Sequence, residues 1–532
     1  MFIQVQINEE GALRNQRHAF SDRFTLVSEL LQNARRAGAR HIELNHDAAK
    51  QMLVVRDNGC GIIDFQTLLS FHESGWGVAV REEERPFGIG FSKCLYAASR
   101  CIVTSGDRRV DINTAQALDK APFEVVTLPQ HEAILGTQIE LQGVDLPELP
   151  TRIESLCLGF PVEVLFNGKP LQRRLAQANL PMMEAPMGTV YLTGADDGLY
   201  NHNTIVFLQG FCVMRPIHFR ADQVNVVHLD PTQFMARLPD RDKLIDEDLQ
   251  RPRIEAQLKA CWRSTLESAK AMMPSSQFVD MYYPAMRSWG HLDLLNDLDI
   301  LPSEVCSQIT SYPIQSHGNS IDYVERVEFF PTRQAVEDGL LTLVVLDWLH
   351  EENAARWMFA RAQGYLLVDA LGLHPEHWAQ AHFRYLEDEA IEVEAVAEQH
   401  RTQLEGRWIW PTVILCEAIK LQIGQDVVVI TDDGMFHQDC LYIPRDEPSG
   451  ESVRQASAFM NEHDQFMESD LEFDRDALAQ LIRLLRCVDS VQTLSSLLEH
   501  LQLGRYPKLH GKRFQLEVGQ GGKPGYSLEL IG

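Results

Sequence analysis

The hexapeptide Asp57-Asn-Gly-Cys-Gly-Ile62 constrains this chain more than any other stretch. It closes a run, MLVVR at 52–56, that reads as a short strand, and it breaks that run with glycines at alternate positions. A first strand is expected at 42–45, joined to the second by a turn at HDAAK. Before them, residues 22–40 alternate apolar and polar residues at helical spacing and stop at AGAR. With helices and strands mixed along the whole chain, the fold class is read as α+β.

Within that helix Glu29 and Asn33 stand four residues apart, so both project from one face. A polar pair at this spacing is also common on a solvated face, and the segment alone does not separate the two readings. Three later features weigh against the solvated face. Asp57, at a strand's end, can accept a hydrogen bond from an exocyclic amine such as that of adenine. Gly59 and Gly61 let the backbone pass close beside a flat ring, where any Cβ would collide. Gly88 and Gly90, in FGIGFSK at 87–93, open a helix whose free N–H groups suit a phosphate chain. Asn33 then offers an uncharged oxygen to Mg²⁺, an ion that takes few protein ligands. Glu29, one turn earlier, is placed to deprotonate a water attacking a γ-phosphate. Thr137, in GTQIEL from Gly136, can support Asp57 or bind the base through its hydroxyl.

Taken in this order, the motifs resemble the GHKL ATPase superfamily of gyrase, the ATP-driven heat-shock chaperones, histidine kinases and the MutL mismatch-repair proteins. ELLQNARRAGA is similar to its N-box, DNGCGI to its first glycine box, FGIGFSK to its second, and Gly136-Thr137 to its later Gly-Thr. NARRAGA and DNGCGI read most like MutL, and FGIGF and ESGWG most like the chaperones. The resemblance implies a Bergerat-type two-layer α/β sandwich over residues 1–168, binding ATP and Mg²⁺. It sets Asn33, Asp57, Gly59, Gly61, Gly88, Ile89, Gly90 and Thr137 against the nucleotide, with Glu29 as catalytic base and a lid at about 63–87. A second, transducer-like α/β domain is expected at 169–274. In such proteins it sends a basic residue to the γ-phosphate, and Arg241 and Lys243 are the candidates. Arg36 departs from the pattern, because the family often carries an acidic residue there, and this puts the rate of hydrolysis in question. The relatives dimerise on closing, so a homodimer is expected. No GxxxxGK[ST] is present to suggest a different phosphate loop.

The remaining 275–532 read as a mixed α/β region whose role the sequence leaves unassigned. Helices are expected over 375–400 and across RDALAQLIRLLRCV, strands at LTLVVLDW and DVVVITDD, and a turn at 519–525 between RFQLEV and YSLELI. His374, His377 and His382 lack a metal-binding pattern and read as surface residues at a helix start. The tryptophans at 348, 357, 378, 408 and 410 read as core. The chain of 532 residues is long enough for three or four domains of about 150 residues. Its net charge of −27 argues against an overall grip on DNA or an acidic membrane, and leaves a protein client or partner as the favoured reading. Three outputs stay open: a chaperone-like or remodelling ATPase, a nucleotide-gated clamp on DNA, and an ATP-binding scaffold with little hydrolysis. Ten scattered cysteines without a CxxC, and no leader-like start, lead us to expect reduced thiols and a cytoplasmic location.

Overall fold

The computed structural model describes residues 4, 8, 10–11, 13, 24–71, 75–77, 90–218, 220, 223–237, 241–311, 323–349, 353–406, 410–446, 468–499, 501–519 and 525–531. The chain is a mixed α/β protein divided into two compact units, Met1–Leu294 and Leu295–Gly532. Among the described residues no helix is long and apolar enough to cross a membrane.

The first unit starts with helix α1, Thr25–Arg36. Leu26, Val27, Leu30, Leu31 and Ala34 recur at helical spacing and are all buried. The helix stops where Gly38 takes a left-handed φ of +73° and the amide of Ala39 turns back to the carbonyl of Ala34. Strands β1, His41–Asp47, and β2, Met52–Asp57, form the expected antiparallel hairpin. Helix α2, Ser92–Ala97, follows, then β3, Arg100–Gly106, β4, Arg108–Asn113, β5, Val125–Thr127, and β6, Ile134–Gln142. Helix α3, Leu149–Leu156, leads to β7, Glu163–Phe166, and β8, Lys169–Pro170. These strands form one eight-stranded sheet in the order β5-β4-β3-β6-β2-β1-β7-β8. Alternate strand residues such as Ile42, Leu44, Leu53 and Val55 share a core with the apolar faces of α1, α2 and α3.

A second sheet in the same unit holds β9, Met183–Ala185, β10, Gly188–Tyr191, β11, Thr204–Leu208, β12, Phe211–Met214, and β13, Asn225–Leu229. Its order is β12-β11-β13-β10-β9. Glycines let the layers approach closely: a Cβ on Gly159 would lie 2.4 Å from the Phe207 ring, and one on Gly210 2.5 Å from Pro161. Helix α4, Glu247–Met272, starts earlier than the Arg253 expected and carries Pro252 inside it, with Glu247 and Asp248 favouring its N-terminal dipole. Helix α5, Ser275–Trp289, packs on α4 and lies in the first unit.

The second unit has a five-stranded sheet in the order β15-β14-β17-β16-β18. Its strands are β14, Cys306–Ile309, β15, Val324–Arg326, β16, Leu343–Val345, β17, Leu366–Val368, and β18, Phe383–Tyr385. Helix α6, Ala354–Gln363, crosses between the parallel strands β16 and β17. The helix expected over 375–400 does not form. A 3₁₀ turn, Trp378–His382, is followed by β18, by β19, Ile391–Val396, and by β20, His400–Gln403. The segment IEVEAV alternates with period two, and Ile391, Val393 and Ala395 pack on the core of this unit, which overrides the helical reading of its glutamates. His377 is a second correction: it is 2% exposed, and its Nδ1 accepts from the amide of Ala379. Among the described residues no three His, Cys, Asp or Glu side chains cluster to hold a metal. Trp357 is in the core as expected, whereas Trp348 and Trp410 are exposed and Trp408 lies outside the described residues. Helix α7, Glu468–Arg486, covers the helix expected at RDALAQLIRLLR, and the strands Phe514–Val518 and Tyr526–Leu530 pair antiparallel as expected.

Candidate functional site

Helix α1 buries its polar face as well as its apolar one. Glu29 is only 5% exposed, and its carboxylate lies under the backbone of Gly90, where a Cβ would stand 2.2 Å from Oε2. Arg241 Nε donates to Glu29 Oε1 at 2.8 Å, across 212 residues of sequence. Their side chains are 9% and 6% exposed, so the ion pair is dry. Gln209 completes the group, its Oε1 accepting from Gln32 Nε2 at 2.7 Å and from Arg241 at 3.3 Å. Two of these residues sit in left-handed backbone, Gln209 at φ +54° and Arg241 at φ +56°. Non-glycine residues adopt that region only when the surroundings hold them there, and such strain gathers at functional sites. The Cys94 thiol, hydrogen-bonded to Cys101, fully buried and facing the negative charge of Glu29, is held well above the usual thiol range. Glu29 therefore has a neutral thiol on one side and a guanidinium on the other.

A second corner forms where β2 meets β6. Asp57 lies opposite Thr137 in the sheet register, is 9% exposed, and accepts from the amide of Gly59 at 2.8 Å. Burial raises its pKa above the usual carboxylate range, against the opposing pull of the Gly59 and Thr137 amides. The glycine loop is tied to the end of α1: the Cys60 amide donates to the Ala37 carbonyl at 2.8 Å, and a Cβ on Gly59 would strike Ala37 at 2.7 Å. Asn58 Oδ1 accepts from the amides of Arg40 and His41 and locks the start of β1 to the same loop. Ser105 Oγ accepts from the Ile62 amide at 2.8 Å, donates to the Gly136 carbonyl at 3.0 Å and lies 3.3 Å from Thr137 Oγ1. Gly136 has φ +76°, and its Cβ would fall 2.0 Å from the Asp57 carbonyl oxygen, so no other residue fits.

The fold thus brings Glu29 to Gly90 and Arg241, and Asp57 to Gly59, Gly136 and Thr137; Gly61 stands beside Ser105. Asn33, one turn from Glu29 on α1, is half-buried, and its side chain makes no hydrogen bond among the described residues. Gly88, Ile89 and most of the expected lid lie outside the described residues. Arg241 and Lys243, equal on sequence, are separated by the structure: Lys243 is exposed. Arg36 is half-buried in the last turn of α1. Gln32, Ser105 and Gln209 carry site contacts that the sequence reading missed. The Gln-Gly pair between two strand-like runs was a usable signal for Gln209, since it marks a tight hairpin tip.

No protein-family model matches the chain. No curated protein matches it either. Among solved structures it is similar to the ATPase and transducer domains of DNA topoisomerase II from Balamuthia mandrillaris, at 15% identity and a TM-score of 0.27. That similarity covers 36% of this chain and 59% of the other, so the chain spans under two thirds of the structure it matches.

Proposed function

We propose that this protein is a GHKL-type, Mg²⁺-dependent ATPase that works as a conformational switch, with a Bergerat-type nucleotide domain docking on a transducer-like second sheet. The observation that carries the reading is the Glu29–Arg241 pair, in which the expected base and one expected γ-phosphate sensor meet across two sheets. The Asp57 carboxylate accepts the adenine amine, at a corner where Gly59, Gly61 and Gly136 let the backbone pack closely around it. Asn33 fits as the Mg²⁺ ligand because its amide oxygen is uncommitted and shares the face of Glu29. The metal would supply charge neutralisation on the phosphates. Glu29 takes the proton of the attacking water. In the pair described above its carboxylate is occupied by Arg241, so the base is masked until the guanidinium moves to the γ-phosphate. Arg241 is then both the lock on the base and the cation that stabilises charge in the transition state.

The acidic net charge favours a protein client over DNA, and nucleotide-driven closure is read as coupled to homodimerisation in the cytoplasm. The test is ATP turnover and binding in Glu29→Gln and Asp57→Asn. Glu29→Gln should bind ATP yet hydrolyse it roughly 10²–10⁴-fold more slowly. Asp57→Asn should lose ATP binding. Normal turnover in the first, or normal binding in the second, overturns the assignment.

A further inference from the structure

The strands Phe514–Val518 and Tyr526–Leu530 form a two-stranded sheet of their own. Phe514 pairs with Leu530, Leu516 with Leu528 and Val518 with Tyr526, so six large apolar side chains share one face. Gln515, Glu517, Ser527 and Glu529 take the other. Leu516 is half-buried, and the other five apolar residues are 42% to 74% exposed. A ribbon of two strands is marginal by itself, and a third strand or a helix on its apolar face is what ordinarily secures one. Its backbone is open as well. The amide of Ile531 donates to the carbonyl of Arg513, and that of Gly519 to the carbonyl of Gly525, both at 2.9 Å. Hydrogen-bonded and non-hydrogen-bonded pairs alternate along an antiparallel ladder, so the three apolar pairs are the non-hydrogen-bonded ones. The N–H and C=O groups of Phe514, Leu516 and Val518 therefore point out along the free edge of the first strand. A strand added there pairs with those residues and sets its own opposing side chains on the same apolar face. Charge marks one end of this edge. Over 505–518 four cations stand against one carboxylate, in a chain of net charge −27. Arg505, Lys508, Lys512 and Arg513 are exposed, and their side chains make no hydrogen bond or ion pair among the described residues.

We propose that the free edge of Phe514–Val518 is a docking site for an extended segment of a partner protein, with apolar residues at alternate positions and a cluster of carboxylates at its C-terminal end. Added antiparallel, such a segment ends beside Lys512 and Arg513, where its carboxylates meet unpaired cations. Its backbone satisfies the outward N–H and C=O groups, and its apolar residues widen the face to three strands. Four of the six apolar residues on that face are aliphatic, which suits side-chain packing better than the base stacking of single-stranded nucleic acid. The open hydrogen-bonding edge, which a lipid surface leaves unmatched, favours a polypeptide over a membrane. This docking lies beyond the nucleotide chemistry and does not depend on it.

The probe is a fluorescein-labelled peptide of three Thr-Val repeats followed by four glutamates, titrated against the full-length protein and read by anisotropy. Saturable binding is expected in the native chain, weakening as salt rises. The charge reversal Lys512→Glu/Arg513→Glu, on exposed side chains, should weaken it at least about tenfold, and a peptide ending in four lysines should recover it. Leu516→Pro removes an outward N–H and no ladder bond, and should also weaken binding at least about tenfold. Leu528→Pro, on the other edge, should leave the affinity within about threefold. Absence of saturable binding in the native chain overturns the site, as does unchanged affinity in either the charge-reversed protein or Leu516→Pro. Displacement of the bound peptide by phosphatidylserine vesicles or by oligo(dT) means a lipid or nucleic-acid surface instead, and overturns it too.

Discussion

The Glu29–Arg241 pair gives the most demanding prediction. At 2.8 Å and an effective dielectric constant of about 20, the bare attraction is roughly 6 kcal/mol. Removing both ions from water offsets much of that, because the two side chains are only 6% and 9% exposed. Arg241→Met leaves Glu29 buried without its cation and should cost about 3–5 kcal/mol. The double variant Glu29→Leu/Arg241→Met removes both charges and should recover most of the loss, giving a coupling energy of about 2–4 kcal/mol. Hydrogen exchange of the α1 amides in the full-length chain reads this locally, without assuming one transition for two units. The coupling should persist in 0.5 M salt, about where mobile ions screen exposed pairs strongly. It should shrink when a non-hydrolysable ATP analogue is bound, as Arg241 leaves for the γ-phosphate. A coupling below about 0.5 kcal/mol, or one abolished by salt, would mean that the pair is wet and the masked-base argument is wrong.

Three further outcomes follow from the same geometry. Arg241→Ala should lower the ATP turnover number by roughly 10²–10³-fold, whereas Lys243→Ala, on an exposed side chain, should leave it within about twofold; equal losses would reject Arg241 as the sensor. Because burial raises the Asp57 pKa, the folded protein holds a proton that the unfolded chain has lost in the window just above the ordinary value of 3.8. Stability of the first unit should therefore fall as pH rises through that window, and Asp57→Asn should flatten the profile measured by α1 exchange. Gly136→Ala should cost about 2–3 kcal/mol or more, since its Cβ meets the Asp57 carbonyl at 2.0 Å. Gly106→Ala, with φ +59° and nothing within 4 Å, should cost only about 1 kcal/mol of backbone strain; equal losses in denaturation would remove the clash argument.

What could be read without coordinates was local. The helix carrying Glu29 and Asn33, the hairpin that follows, and the glycine loop after Asp57 each depend on neighbours within a few residues, and each formed as expected. Local reasoning failed where a segment's neighbours lie elsewhere in the chain. The glutamate-rich 375–400 looks helical by composition, yet it becomes strand because Ile391, Val393 and Ala395 have a core to pack on. His377 looks like a surface residue until the second unit closes around it.

The division is sharpest at the site. Sequence alone supplied the candidate side chains, because carboxylate, amide and glycine types at fixed spacing carry their chemistry with them. It could not choose between Arg241 and Lys243, two residues apart in one loop of mixed charge. Only the tertiary structure tells the two apart, burying Arg241 against Glu29 and leaving Lys243 exposed. A left-handed turn at Arg241 and a hairpin tip at Gln209 bring the guanidinium onto Glu29, 212 residues away. No periodic pattern encodes such a pairing, since it depends on how two sheets pack, and glycines at 159 and 210 let them come that close.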